Sequence, residues 1–143
     1  MIRVSTRGRY ALRALVDVGL HADDGPVNRK KLADRQGISA EYVAQLFRDL
    51  IAAGLAVGVK GPGGGYCLAR EPEVIRASDV LRAVEGPLAL VHCVGESGEA
   101  TCPRTNGCVT HRLWTRLSST LQSELDAVTL ADLVAEAREL GNS

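Results

Sequence analysis

Five consecutive residues, Gly61-Pro62-Gly63-Gly64-Gly65, restrict the fold of this 143-residue chain more than any other stretch. Proline lacks a backbone donor and glycine loses the most freedom on ordering, so neither a helix nor a strand runs through such a segment. It is a turn. Before it Leu55, Val57 and Val59 alternate as in a strand, and after it Tyr66-Cys67-Leu68 returns as a second strand. Lys60 and Arg70 flank the hairpin. A phosphate-binding P-loop is excluded, because Gly-Lys-Ser/Thr and a following helix are both missing.

What precedes the hairpin decides its meaning. Asn28 is a good N-cap for a short helix from Arg29 to Gln36. Gly37 breaks it, Ile38 supplies an apolar staple, and Ser39 caps a second helix through about Ala53, with Glu41 in its first turn. Val43, Leu46, Phe47, Leu50 and Ile51 form the face expected to be buried. Ser39, Ala40, Glu41, Tyr42, Gln45 and Arg48 form the other. Two short helices joined at a tight glycine are a helix-turn-helix, whose second helix can enter a major groove, or a plain structural pair. A basic hairpin following at once makes a winged helix of it. Gly61, Gly63 and Gly64 let the tip approach a sugar–phosphate backbone, which Lys60 can also reach. Cys67 reads as a small apolar residue rather than a redox group.

Ser5 or Thr6 caps an earlier helix that runs to about His21, with Ala11, Leu15 and Val18 at helical spacing. Arg7, Arg9 and Arg13 crowd its beginning. Cations there oppose the macrodipole at a cost of a few tenths of a kcal/mol each. A negatively charged partner accounts for them, and a merely solvated face is the alternative. Residues 1–70 carry 11 Lys/Arg against 6 Asp/Glu, and residues 71–143 the reverse surplus, so a net charge of zero hides a basic and an acidic half. Only one end is then suited to a polyanion. Aromatic residues are 3% of the chain, so the core rests on Leu, Val and Ala, which suits packed helices.

In the second half Ser78 is expected to cap a helix over Asp79–Glu85, closed by Gly86. From His92 to His111 the apolar period vanishes, while three of the four cysteines and two of the three histidines gather. A loop of this length without secondary structure is usually functional or disordered, and soft ligands favour function. Cys93, Cys102, Cys108 and His111 are the candidate metal or cluster ligands, with His92 a substitute. No apolar run approaches the roughly 18 residues of a membrane span, and the first residues lack a signal-peptide core. A cytoplasmic setting is expected, where clustered cysteines bind metal before they form disulfides. A long helix then runs from about Val109 to Val128 with Leu113, Leu117, Leu121 and Leu125 at i, i+4 spacing and Trp114 beside them. It is too long to bury against so small a winged domain, and pairing with a second copy is the economical use of its stripe. Thr129-Leu130-Ala131-Asp132 starts a last helix carrying Leu130, Leu133, Val134, Ala137 and Leu140, ended by Gly141.

Several stretches together resemble the IscR-type iron–sulfur regulators of the Rrf-type winged-helix family. They are Ser5-Thr6-Arg7-Gly8-Arg9-Tyr10-Ala11, Arg35-Gln36-Gly37-Ile38-Ser39, Gln45-Leu46-Phe47, Gly61-Pro62-Gly63-Gly64-Gly65-Tyr66, Cys108-Val109-Thr110-His111-Arg112-Leu113-Trp114 and Thr129-Leu130-Ala131-Asp132-Leu133. The resemblance covers essentially the whole chain. It implies a homodimeric bacterial transcription factor with an iron–sulfur cluster in the loop before the dimerisation helix. In the IscR branch the fourth ligand is a histidine three residues after the last cysteine, which maps onto His111. In the nitric-oxide-sensing NsrR branch it is a carboxylate from the partner's first helix, and residues 5–13 here hold no Asp or Glu. One departure stands out: eight residues separate Cys93 from Cys102, where the IscR pattern has five.

The expected fold is therefore mainly α with a small β-hairpin wing: a winged helix-turn-helix domain over residues 1–86, a cysteine-rich cluster-binding loop over 87–111, and the dimerisation and C-terminal helices over 109–143. The expected function is a homodimeric DNA-binding transcriptional regulator of palindromic operators, controlled by an iron–sulfur cluster. The cluster expected is 2Fe–2S, with 4Fe–4S as the close competitor. A zinc-stabilised winged-helix scaffold protein is the more distant one, since Cys3His sets also hold structural zinc. Ser39, Glu41, Tyr42 and Gln45 would face base edges, with Arg7, Arg48, Lys60 and the glycine tip on phosphates. No enzyme is expected, because a Cys108–His111 pair has neither substrate pocket nor oxyanion donors beside it.

Overall fold

The computed structural model describes residues 2–91, 93–94 and 102–141. The first helix, α1 (Thr6–Leu20), begins where the Ser5 hydroxyl accepts the Gly8 N–H at 3.0 Å. α2 (Arg29–Gln36) is capped by Asn28, whose side-chain oxygen accepts from both Lys30 and Lys31 N–H. α3 (Ala40–Ala52) starts at Ser39, whose hydroxyl accepts from Tyr42 N–H. Each cap satisfies amides that the helix itself leaves without partners. The buried face of α3 is Val43, Leu46, Phe47 and Leu50. Ile51 does not join it: its side chain lies beside Gly58 of the hairpin, on the open groove, and stays 39% exposed.

The hairpin pairs β1 (Ala56–Val59) antiparallel with β2 (Gly65–Leu68), Ala56 opposite Leu68 and Val59 opposite Gly65. Its base is in the core through Leu55, Ala56 and Tyr66, while Val57 and Val59 project beyond any second layer and remain exposed. Two devices hold it to the helices. Val27 and Tyr66 exchange both backbone hydrogen bonds at 2.9 Å, and the Tyr66 ring stacks on Phe47 with centroids 4.0 Å apart. The first device explains a glycine: a Cβ on Gly65 would lie 2.0 Å from the Val27 carbonyl oxygen. Gly64 is as constrained, its Cβ falling 2.2 Å from the Val59 carbonyl oxygen. These two glycines therefore serve the hairpin's own closure and docking before any partner.

α4 (Ala77–Glu85) begins earlier than expected, ahead of Ser78. Arg76 is its N-cap residue, its N–H bonded to Asp79 Oδ2 at 2.9 Å. Ser78 is inside the helix, fully buried, and its hydroxyl donates to Asp126. The end of the long helix α5 (Val109–Ala127) packs on α4, where Arg76 bonds the Asp126 carbonyl at 2.9 Å and Arg82 faces the Asp126 carboxylate at 3.7 Å. α6 (Leu130–Glu139) opens with a reciprocal Thr129–Asp132 capping box. It returns to α1, where Val134 packs so close to Gly19 that a Cβ there would lie 2.8 Å from it. One apolar cluster results, running through α1, α2, α3, the hairpin base, α4 and α6. Helix α5 contributes none of its members.

Candidate functional site

The face that α3 leaves outside is Ser39, Glu41, Gln45 and Arg48, with Glu41, Gln45 and Arg48 exposed. Tyr42 is half-buried and meets Tyr10 edge-on, centroids 6.1 Å apart, so only part of its ring is on offer. Ser39 has given its oxygen to the cap and keeps its hydroxyl hydrogen for a partner. Lys60 and the tip residues Gly61 and Gly63 stand exposed beside α3. Arg7 is committed differently from the others, paired with the Asp49 carboxylate of α3. Between the wing and α3 lies an open groove of about 690 Å³ with Arg29, Lys30, Arg48 and Lys60 along it and no carboxylate in its lining.

The second site forms at the start of α5. Cys108 is the N-cap residue, and His111 follows one turn in. The His111 Nδ1 lies 3.5 Å from Cys93 Sγ, which joins two candidate ligands 18 residues apart. On the ring's other side the Thr115 hydroxyl donates to the His111 carbonyl at 2.8 Å and lies 3.5 Å from Nε2. Its lone pairs suit an Nε2–H, the tautomer that leaves Nδ1 for a metal. The Cys108 thiol is drawn below its ordinary pKa, first by the Thr110 hydroxyl 3.1 Å away and then by the His111 backbone N–H, with the Arg104 charge adding to them. Thiolate character at a helix start is what a metal-binding cysteine needs. Cys102 begins a tight turn, its carbonyl accepting from Thr105 N–H and the Thr105 hydroxyl. Among the described residues no group of three Cys, His, Asp and Glu is placed to hold a metal ion, so the structure pairs Cys93 with His111 without gathering all four candidates. His92 lies outside the described residues.

The stem that carries Cys93 is tied to α5. Leu90 N–H donates to Ser118 Oγ at 3.1 Å, and Gln122 Nε2 to the Leu88 carbonyl at 3.2 Å. Ser118 is the buried residue of α5, whereas Leu117 and Leu121 are 41% and 42% exposed and Leu113, Trp114 and Leu125 half-buried. Sequence reasoning passed over Arg29 and Lys30, although Arg29-Lys30-Lys31 directly after an N-cap is a visible cationic turn. It also passed over Asp17, a buried carboxylate on α1 that accepts from Arg35 Nε and Nη2, at 2.9 and 2.6 Å, and from Gln36 Nε2 at 2.9 Å. That network joins α1 to the first helix of the helix-turn-helix, and its hydrogen bond raises the Arg35 pKa further.

A helix-turn-helix with a clamped hairpin wing and a cationic groove between them defines a winged-helix DNA-binding protein. Residues 4–136 match the Rrf2 family, described as an iron-dependent transcriptional regulator, and the chain belongs to that family. It is 43% identical over 133 residues to the HTH-type transcriptional regulator IscR of Yersinia pseudotuberculosis serotype O:1b (strain IP 31758), a match that spans 93% of this chain and 79% of the relative. Among solved structures it is similar to T. potens IscR, with a TM-score of 0.79 and 36% identity over 99% of this chain and 92% of that one. It is also similar to CymR (YrzC), the global cysteine regulator of B. subtilis, with a TM-score of 0.75 and 34% identity over 95% and 98% of the two chains. The chain is thus a DNA-binding transcriptional regulator of the IscR type, and not an enzyme, as its sequence led us to expect. No helix among the described residues is long and apolar enough to cross a membrane.

Proposed function

We propose that the protein acts as a cytoplasmic homodimer that reads a palindromic operator, its affinity set by an iron–sulfur cluster held by Cys93, Cys102, Cys108 and His111. The observation that carries this reading is the Cys93–His111 juxtaposition, 3.5 Å, at the head of the helix that bears the exposed leucine stripe. The donor set fits such a group: three thiols, one already drawn toward thiolate, and an imidazole whose tautomer Thr115 favours. Histidine in place of one thiolate raises the reduction potential and adds a protonatable ligand, which suits a reversible 2Fe–2S sensor of redox state, iron–sulfur supply, iron or nitric oxide. A 4Fe–4S group on the same cysteines is the alternative.

Each part of the chain has a task in this scheme. Residues 1–86 hold DNA, residues 87–111 hold the cluster, and residues 109–143 join two copies through Leu113, Trp114, Leu117, Leu121 and Leu125. Gln45, Glu41, Ser39 and the exposed edge of Tyr42 meet base edges in a major groove. Lys60, Arg48 and the tip at Gly61, Gly63 and Gly64 meet phosphates, and Arg7 joins them by sharing Asp49. Two recognition helices about 34–36 Å apart would demand two-fold symmetry in the operator. The Leu90–Ser118 and Leu88–Gln122 hydrogen bonds transmit loop rearrangement to α5, and hence to the spacing of the two winged domains.

The test is an anaerobic absorption spectrum with iron, sulfide and zinc assayed together and His111→Ala run beside the natural protein. About two irons per chain, with structured visible bands that change in His111→Ala, is the expected result. A colourless protein with about one zinc per chain would overturn it and leave a zinc-stapled DNA-binding dimer or scaffold.

A further inference from the structure

The groove between the wing and α3 holds cations that neither the helix-turn-helix pattern nor the wing motif brings to mind. Arg29 and Lys30 occupy the first turn of α2, and the wing's docking on Val27 sets them opposite Arg48 and Lys60. Among the described residues none of these four is ion-paired, although Arg7, Arg35 and Arg82 all are. Arg29 is nonetheless not loose. Its Nε donates to the Tyr66 hydroxyl at 3.2 Å, and its guanidinium carbon lies 6.0 Å from the centre of that ring. Tyr66 is itself buried and stacked on Phe47 of α3. The guanidinium is therefore aimed by the core, while no carboxylate among the described residues neutralises it. A fixed guanidinium of this kind in a carboxylate-free groove is suited to phosphate oxygens. Ala40, Ala44 and Gly58 line it beside the larger Ile51 and Val59, and its open volume leaves room for a backbone strand.

We propose that this groove seats the sugar–phosphate backbone of one DNA strand, with Arg29 and Lys30 gripping it alongside Arg48 and Lys60 and the Tyr66 hydroxyl positioning Arg29. The inference rests on the DNA-binding reading of α3 and the wing and extends it to α2. Removing one phosphate-binding cation should lower the slope of log K against log salt by about 0.9.

The experiment measures binding of a mixed-sequence duplex across a salt series by fluorescence anisotropy, with circular dichroism confirming the fold of each variant. Arg29→Ala should flatten the slope by about one such step and Arg29→Ala with Lys30→Ala by about two. Tyr66→Phe keeps the charge and the stacked ring, so it should leave the slope alone and weaken binding by roughly twofold to tenfold. Lys31→Ala, whose side chain does not line the groove, should match the natural protein in slope. A folded Arg29→Ala, Lys30→Ala double variant with an unchanged slope overturns the proposal, as does a Lys31→Ala variant that flattens it equally. Lys60→Ala separates the two levels. If it flattens the slope while the α2 variants do not, only the groove assignment fails. If it too has no effect, the wing reading itself fails.

Discussion

Helices α3 and α5 are both amphipathic, yet they dispose of their apolar residues in opposite ways. In 13 residues α3 buries Val43, Leu46, Phe47 and Leu50 completely, against α1, α2, α4 and the hairpin base. In 19 residues α5 fully buries only Ser118 and leaves Leu117 and Leu121 more than two-fifths exposed. Both carry an apolar stripe of similar spacing, so periodicity alone does not say which stripe finds its partner within the chain. The difference is one of supply. Around α3 the hairpin base, α1 and α4 already form a wall, whereas α5 touches the rest through its stem side and its C-terminal end. Under the proposed function a second copy supplies the wall that the stripe of α5 lacks within the protomer.

The contrast can be broken by mutation. Phe47→Ala should have the largest effect, removing a fully buried ring and its stack on Tyr66 and destabilising the protomer by about 3–5 kcal/mol in urea unfolding. A cost below about 1 kcal/mol would mean that α3 is not the centre of the core. Leu117→Asp with Leu121→Asp should leave the protomer's helical content intact while raising the dimer dissociation constant by at least about a hundredfold, read by sedimentation. Unaltered association would show that the α5 stripe is no interface. Ile51→Ala sharpens the comparison at its small end. Although Ile51 is spaced like a core residue of α3, its exposure predicts a loss under about 1 kcal/mol, against about 2–5 kcal/mol for the buried Leu46 or Leu50 on the same helix.

Residues whose partners lie within a few positions were legible in the sequence. Asn28, Ser39 and Thr129 are the caps that their spacing announced, and Ser5 is the one of the pair Ser5 or Thr6 that caps α1, because a cap bonds amides two or three residues away. Ser78 misled for the complementary reason. It has a cap's chemistry, but its acceptor is Asp126, 48 residues on, and α4 starts at Ala77 instead. The candidate ligands divide along the same line. Cys108 and His111 share a helix end by spacing, while the approach of Cys93 to His111 depends on a stem laid against α5.

From sequence alone, then, came the helix-turn-helix, the glycine-tipped wing, most of the helix caps and the family resemblance, all of which are written in local spacing and in residue chemistry. Only the tertiary structure decided which of the described arginines are neutralised by carboxylates, and that Asp17 is buried under Arg35. It also decided that Arg29 meets Tyr66 across 37 positions and that the stripe of α5 faces outward. Such facts depend on residues far apart in the chain coming together. The energy of a charge or an apolar side chain is set by what surrounds it after folding, and spacing along the chain carries no record of that.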